Sequence, residues 1–161
     1  MDVYGLCPRR KSGVPVDEMV IDYDDALEVR ARCGEYYHAT IYEWRAIRCL
    51  CIEASLYENE LDIDFRGWRF NDGGGLTTQR ECDLLAGAIE DLVRNPFDDD
   101  DDPFADDPFF GEFYVWADDD GEPNMARPDP EKPVESDYRT TGRDVWMWVA
   151  FLRNCGGFAI H

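Results

Sequence analysis

The sequence predicts an α+β domain in which about three helices pack on a small, mostly antiparallel sheet. A chain of 161 residues suits one domain, since two independent cores would each need most of that length. Three segments place an acidic residue three positions after a threonine, so that the hydroxyl accepts from a free N–H at a helix start while the acid reaches back. The strand-like segments are short and do not alternate regularly with the helices, which disfavours a parallel array. Nine Phe, eight Tyr and five Trp within a 44% apolar composition supply enough burial to offset chain entropy.

Taken in order, Val3-Tyr4 is a candidate edge strand and Val20-Ile21-Asp22-Tyr23 a further strand. Thr40 and Glu43 open a helix to about Tyr57, with Trp44, Ile47, Cys51 and Ala54 on one face and Glu43 and Arg45 on the other. Leu61, Ile63 and Phe65 alternate with Asp62 and Asp64 as in a half-buried strand, which Trp68-Arg69-Phe70 continues past a bend at Gly67. Thr78 and Glu81 open a second helix with an apolar stripe of Leu84, Leu85, Ala88, Ile89, Leu92 and Val93, stopped at Asn95-Pro96. Phe113 to Ala117 reads as a strand closing in a turn at Asp120-Gly121, and Pro128, Pro130 and Pro133 mark 127–136 as a surface loop. Thr141 and Asp144 open the third helix, from Val145 to about Cys155, which is apolar nearly all round and therefore expected at the centre. Gly156-Gly157 ends it, and Phe158-Ala159-Ile160 is another edge candidate.

The net charge of -20 is unevenly placed. Between Asn95 and Ala126 there are twelve acidic residues and no basic one, leaving twenty-four acids against sixteen bases elsewhere. Such a charge repels phosphate backbones and anionic lipid, so no direct nucleic-acid or membrane partner is expected. Aromatics interrupt the acidic run at Phe104, Phe109, Phe110 and Trp116, which distinguishes it from a free acidic tail. Asp exceeds Glu and lysine occurs only at Lys11 and Lys132, a composition that also suits a protein kept soluble in strong salt. No stretch approaches the ~20 apolar residues of a membrane span, and the first residues carry neither a basic nor an apolar leader region. The expectation is a cytoplasmic protein whose six cysteines are reduced thiols.

Four blocks occur in order: Met1-Asp2-Val3-Tyr4-Gly5; Gly34-Glu35-Tyr36-Tyr37 leading to Trp44-Arg45; Trp68 with Asn71-Asp72-Gly73 and Gly75-Leu76; and Phe151-Leu152-Arg153 with Cys155-Gly156-Gly157-Phe158. Together they resemble a group of small hypothetical proteins of bacteria and their phages, which share the opening pentapeptide and the Asn-Asp-Gly turn. The resemblance covers roughly half the chain and implies no particular activity. Relative to that pattern the single domain, 1–161, carries insertions at 14–33 and 97–138. Tyr42-Glu43 before Trp44 departs from the aromatic-rich second block of that group.

Motif chemistry is sparse. Asn71 to Gly75 precede a helix start, where free N–H groups receive anions, yet the lysine and hydroxyl of a nucleotide phosphate loop are missing. No acidic run fits a calcium loop: from Asp62 the fifth position is Arg66, and from Asp98 the glycine position is Pro103. Cys49 and Cys51 are about 200° apart on a helix and cannot readily share one zinc ion; a set of Cys7, Cys33 and His38 would require the fold to assemble it. His38 is placed as a possible base without a nucleophile motif, and Asp62 with Asp64 as a possible acid and base pair. No catalytic residue, metal or cofactor is assigned.

Three functions compete. The expected one is a non-enzymatic interaction protein whose acidic segment, with Asp98, Asp99, Asp100, Asp101, Asp102, Phe109 and Trp116, binds a basic protein, standing in for phosphate or serving in defence. The alternatives are a ligand-binding or enzymatic pocket near Tyr4, Trp44, Arg45, Asn71 and Asp72, and a protein whose acidity serves solubility alone. Concentrated charge favours the first, because solubility would accept a dispersed distribution.

Overall fold

A computed structural model describes residues 1–11, 23–57, 61–69, 73–94, 113–117, 123–127, 129, 131, 134 and 136–161. They form the α+β fold that the sequence predicts, with two small antiparallel sheets in place of one. Strands β1 (Asp2–Gly5), β2 (Tyr36–His38), β3 (Gly75–Leu76) and β7 (Phe158–Ile160) make a sheet ordered β2-β1-β7-β3. Strands β4 (Tyr114–Ala117), β5 (Pro123–Ala126) and β6 (Arg139–Thr141) make the second, ordered β5-β4-β6. The described helices number four: α1 (Tyr23–Arg32), α2 (Ile41–Tyr57), α3 (Gln79–Arg94) and α4 (Gly142–Leu152). A short 3-10 turn spans Arg66–Trp68.

All three threonine starts are capping boxes. Thr40 N donates to Glu43 Oε2 at 2.7 Å, Thr78 N to Glu81 Oε2 at 2.9 Å and Thr141 N to Asp144 Oδ2 at 3.3 Å, and each acidic residue's N–H returns a bond to the threonine hydroxyl. These reciprocal bonds satisfy N–H groups that a helix start leaves without intrahelical partners. Glu81 sits below the ordinary carboxylate range because the Thr78 hydroxyl donates to it, with burial opposing.

The helix missing from the sequence reading is α1. Tyr23 begins it, where the sequence suggests the end of a strand; Val20, Ile21 and Asp22 lie outside the described residues. It packs on α4 and β2, and Arg143 of α4 donates to Glu28 at 2.8 Å while Arg32 donates to the same carboxylate. A second correction concerns Leu61 to Phe65, which form no strand. Leu61, Ile63 and Phe65 are indeed half-buried against the core and Asp62 and Asp64 exposed, so the alternation is real, but it serves an extended segment without a ladder. Trp68 then belongs to the 3-10 turn rather than to a continuing strand. A third is that β1 and β7, read as edges, are the two central strands of their sheet.

The core runs between the sheets. α4 contributes Val145, Trp148, Val149, Phe151 and Leu152, and α3 contributes Cys82, Leu85, Ala86, Ala88, Ile89 and Val93. Leu84, expected in the α3 stripe, is 43% exposed. Trp148 stacks on Phe151 at 5.4 Å and meets Trp44 and Phe158 edge-on at 5.5 and 5.3 Å, so helix α2, helix α4 and strand β7 share one aromatic cluster. Gly142 is the close approach that joins α4 to the second sheet: its N–H donates to Phe113 O at 2.7 Å, and a Cβ there would lie 2.3 Å from the Phe113 ring.

Candidate functional site

The outer face of the four-stranded sheet gathers the richest set of chemical groups among the described residues, and strand alternation builds it. Strand β1 pairs Asp2 with His38 and Tyr4 with Tyr36 on one side, and Tyr4 with Ala159 on the other. Asp2 and His161 exchange backbone hydrogen bonds of 3.1 and 2.7 Å. Cross-strand partners share a face, so Asp2, Tyr4, Tyr36, His38 and His161 stand together, while Val3, Tyr37 and Ile160 point into the core. Both histidines of the chain are in this group.

One Asp2 carboxylate oxygen accepts from the Tyr36 hydroxyl and lies 3.1 Å from His38 Nδ1, itself 3.3 Å from the Tyr36 oxygen. The hydrogen bond from Tyr36 holds the Asp2 carboxyl below its ordinary range; partial burial opposes this and His38 reinforces it. The Tyr36 ring is covered by Tyr4, with centroids 5.2 Å apart, and by the Arg30 guanidinium of α1, 4.5 Å from the centroid. His161 meets Tyr4 edge-on at 5.5 Å. Tyr4 is 44% exposed, so this layered arrangement presents an aromatic surface beside a carboxylate and an imidazole.

The residues singled out from sequence scatter. Tyr4 belongs to the face just described. Trp44 is 3% exposed, packs against Trp68 and Trp148, and donates its indole N–H to Trp68 O at 2.7 Å; its neighbours are the core rather than Tyr4. The Arg45 guanidinium lies 4.1 Å from the centre of the Tyr138 ring. Trp116 is half-buried on β4, opposite Asn124 and Arg139. Asn71, Asp72, Asp98, Asp99, Asp100, Asp101, Asp102 and Phe109 lie outside the described residues. Asp62 and Asp64 have no shared strand face, and Asp64 instead accepts from Arg66 at 3.0 Å. Among the described residues no group of three or more His, Cys, Asp or Glu is placed to hold a metal ion.

Sequence reasoning weighed Tyr4 and His38 separately and did not place Asp2, Tyr36 or His161 beside them. The signal was the two-residue spacing in Asp2-Val3-Tyr4, Tyr36-Tyr37-His38 and Ala159-Ile160-His161, where each middle residue is now buried. No helix among the described residues is long and apolar enough to cross a membrane. Comparison of the chain with protein-family models, with curated proteins and with solved structures finds no match.

Proposed function

We propose that this chain is a non-enzymatic interaction protein that binds a basic protein surface through its acidic segment, in a phosphate-mimicking or defence-related role. The observation that carries this reading is the concentration of twelve acidic and no basic residues between Asn95 and Ala126. Like charges gathered in one segment repel, and a basic partner relieves that repulsion while its field accelerates encounter. The surroundings of the segment support the reading. In sequence, the dense run 98–102 begins four positions after Arg94 ends α3 and the run 118–120 follows β4 directly, where Val115 and Ala117, with the preceding Phe113, are buried. Four arginines at home face carboxylates outside the segment: Arg153 with Glu90, Arg143 and Arg32 with Glu28, and Arg66 with Asp64.

The test is retention of a basic protein from a source-cell extract at low and high salt, with the retained protein then purified and its affinity measured. Loss of binding as salt rises, and on replacing Asp98 to Asp102 by Asn, is the expected result. Affinity that ignores both treatments overturns the reading.

A second reading is favoured by the Asp2, Tyr36 and His38 arrangement: a ligand surface centred on Tyr4 for a small planar cation. A carboxylate beside phenol rings matches such a group, and Arg30 over Tyr36 shows a guanidinium already using one of these rings. Titration with guanidinium and amidine compounds, followed through Tyr4 and His38 ring resonances, would show saturable shifts that Tyr4→Ala removes. Absence of any saturable shift rejects this second reading.

A further inference from the structure

Two buried sulfurs meet where α3 passes the turn between α4 and β7. Cys82 lies in the first turn of α3 and Cys155 in the turn after α4, and their Sγ atoms are 3.6 Å apart. A disulfide bond is about 2.05 Å long, so closure requires an approach of about 1.6 Å. The backbone on both sides is already tied. Gln79 Nε2 donates to Leu152 O at 2.8 Å while Gln79 Oε1 accepts from Gly156 N at 2.7 Å, so one side chain of α3 brackets Cys155. Arg153 Nη1 donates to Asp83 O at 3.0 Å and Nη2 to Glu90 at 2.9 Å, tying the end of α4 to α3 on the C-terminal side of Cys82. These bonds hold the two thiols in contact without a covalent link.

The two thiols are also chemically unequal. Cys155 is followed by Gly156 and Gly157, both at positive φ (69° and 95°); the Gly156 N–H is taken by Gln79, while the Gly157 N–H acts on both sulfurs. The Cys82 thiol and the N–H groups of Gly157 and of Cys155 itself favour a Cys155 thiolate and pull its pKa below the ordinary thiol value, with burial opposing. The Cys82 thiol is correspondingly pushed up by its bond to Cys155 and by burial. Cys51 makes the contrast: burial pushes it up to about 12 and its sulfur accepts the Trp148 indole N–H at 3.3 Å, the surroundings of an inert core thiol. On the solvent side the exposed Cys7 donates its N–H to Cys155 O at 2.9 Å, and a Cβ added at Gly156 would lie 2.6 Å from Cys7 Cβ.

We infer that Cys82 and Cys155 are a redox pair, closing to a reversible intramolecular disulfide when the protein meets a hydroperoxide. The Cys155 thiolate attacks the outer peroxide oxygen, the O–O bond breaks, and the departing hydroxide takes up the proton that Cys155 released. Cys155 is then a sulfenic acid. The Cys82 sulfur attacks the Cys155 sulfur, the S–OH bond breaks, and the second hydroxide leaves as water with the Cys82 proton. Two thiols are oxidised and one hydrogen peroxide is reduced to two waters. The bond spans 73 positions of sequence, enclosing the acidic segment and all three strands of the second sheet.

The test uses the full chain in its reduced form. It is treated with hydrogen peroxide, unfolded with an alkylating reagent present, digested and mapped by mass spectrometry, with and without later dithiothreitol. The expected result is a Cys82 to Cys155 linked peptide, lost on reduction, still formed in Cys7→Ser and absent in Cys155→Ala. The same treatment should raise Tm of the unsubstituted protein and leave Tm of Cys155→Ala unchanged. Mapping of the unsubstituted chain suffices should that variant fail to fold. Full alkylation of Cys82 and Cys155 after peroxide, pairing of Cys155 with Cys7, or loss of the linked peptide in Cys7→Ser would overturn the inference.

Discussion

The two sheets solve the same packing problem with opposite raw materials. The four-stranded sheet takes its central strands from positions 2–5 and 158–160, and its outer face carries a few polar groups that hydrogen-bond one another. The three-stranded sheet is drawn from 114–141 alone, and the carboxylate run 118–120 follows its middle strand in sequence. Long-range closure, with its large loop entropy, goes with polar groups that satisfy one another, whereas local hairpin pairing goes with a stretch of sequence whose charge is unbalanced. Ionic strength should therefore act chiefly through the second sheet's surroundings and acidity chiefly through the first sheet's outer face.

The strongest way to break this comparison is through the core that both sheets share. Phe151→Ala should cost roughly 3–5 kcal/mol, and near- and far-ultraviolet circular dichroism in urea should report one common transition. Leu85→Asp should leave insoluble chain. Separate transitions by the two probes would show that the sheets fold as independent units.

Two tryptophans sharpen the point inside that core. Trp44 donates to the buried Trp68 carbonyl, while Trp68 Nε1 is buried with no hydrogen-bond partner among the described residues. Trp44→Phe leaves a buried acceptor unsatisfied and should cost about 1–3 kcal/mol beyond its lost volume. Trp68→Phe removes a donor that had no partner, so its denaturant midpoint should fall less; equal or reversed losses would contradict the hydrogen-bond argument.

Gly142 tests the join between α4 and the second sheet. Gly142→Ala forces the Phe113 ring to move and should cost about 1–3 kcal/mol, with Trp116 fluorescence altered and the resonances of Tyr4 and His161 unchanged. A variant as stable as the parent would show that the Phe113 ring yields freely.

The smallest effect belongs to Asp2. Its pKa is lower in the folded chain than in the unfolded one, so its contribution is complete above the unfolded value near about 3.9 and is lost as pH falls through the folded value. Asp2→Asn should flatten the acid limb of the stability curve below about pH 4, by at most about 1 kcal/mol because the carboxylate is partly exposed. An unchanged acid limb would remove Asp2 from the account.

Much of this fold was legible before the structure. Thr40, Thr78 and Thr141 announce α2, α3 and α4 because a capping box and a helical stripe are local: their partners lie within one turn of chain. The same locality exposes the acidic segment, since charge can be counted along the sequence. The structure alone decided that Leu61 to Phe65 lack a ladder, that β1 and β7 are central, that Asp2, His38 and His161 share a face, and that Cys82 touches Cys155. A strand carries unpaired N–H and C=O groups that any extended segment can satisfy, so its choice of neighbour depends on how the whole chain closes, and side chains from opposite ends of the sequence meet only after that choice is made.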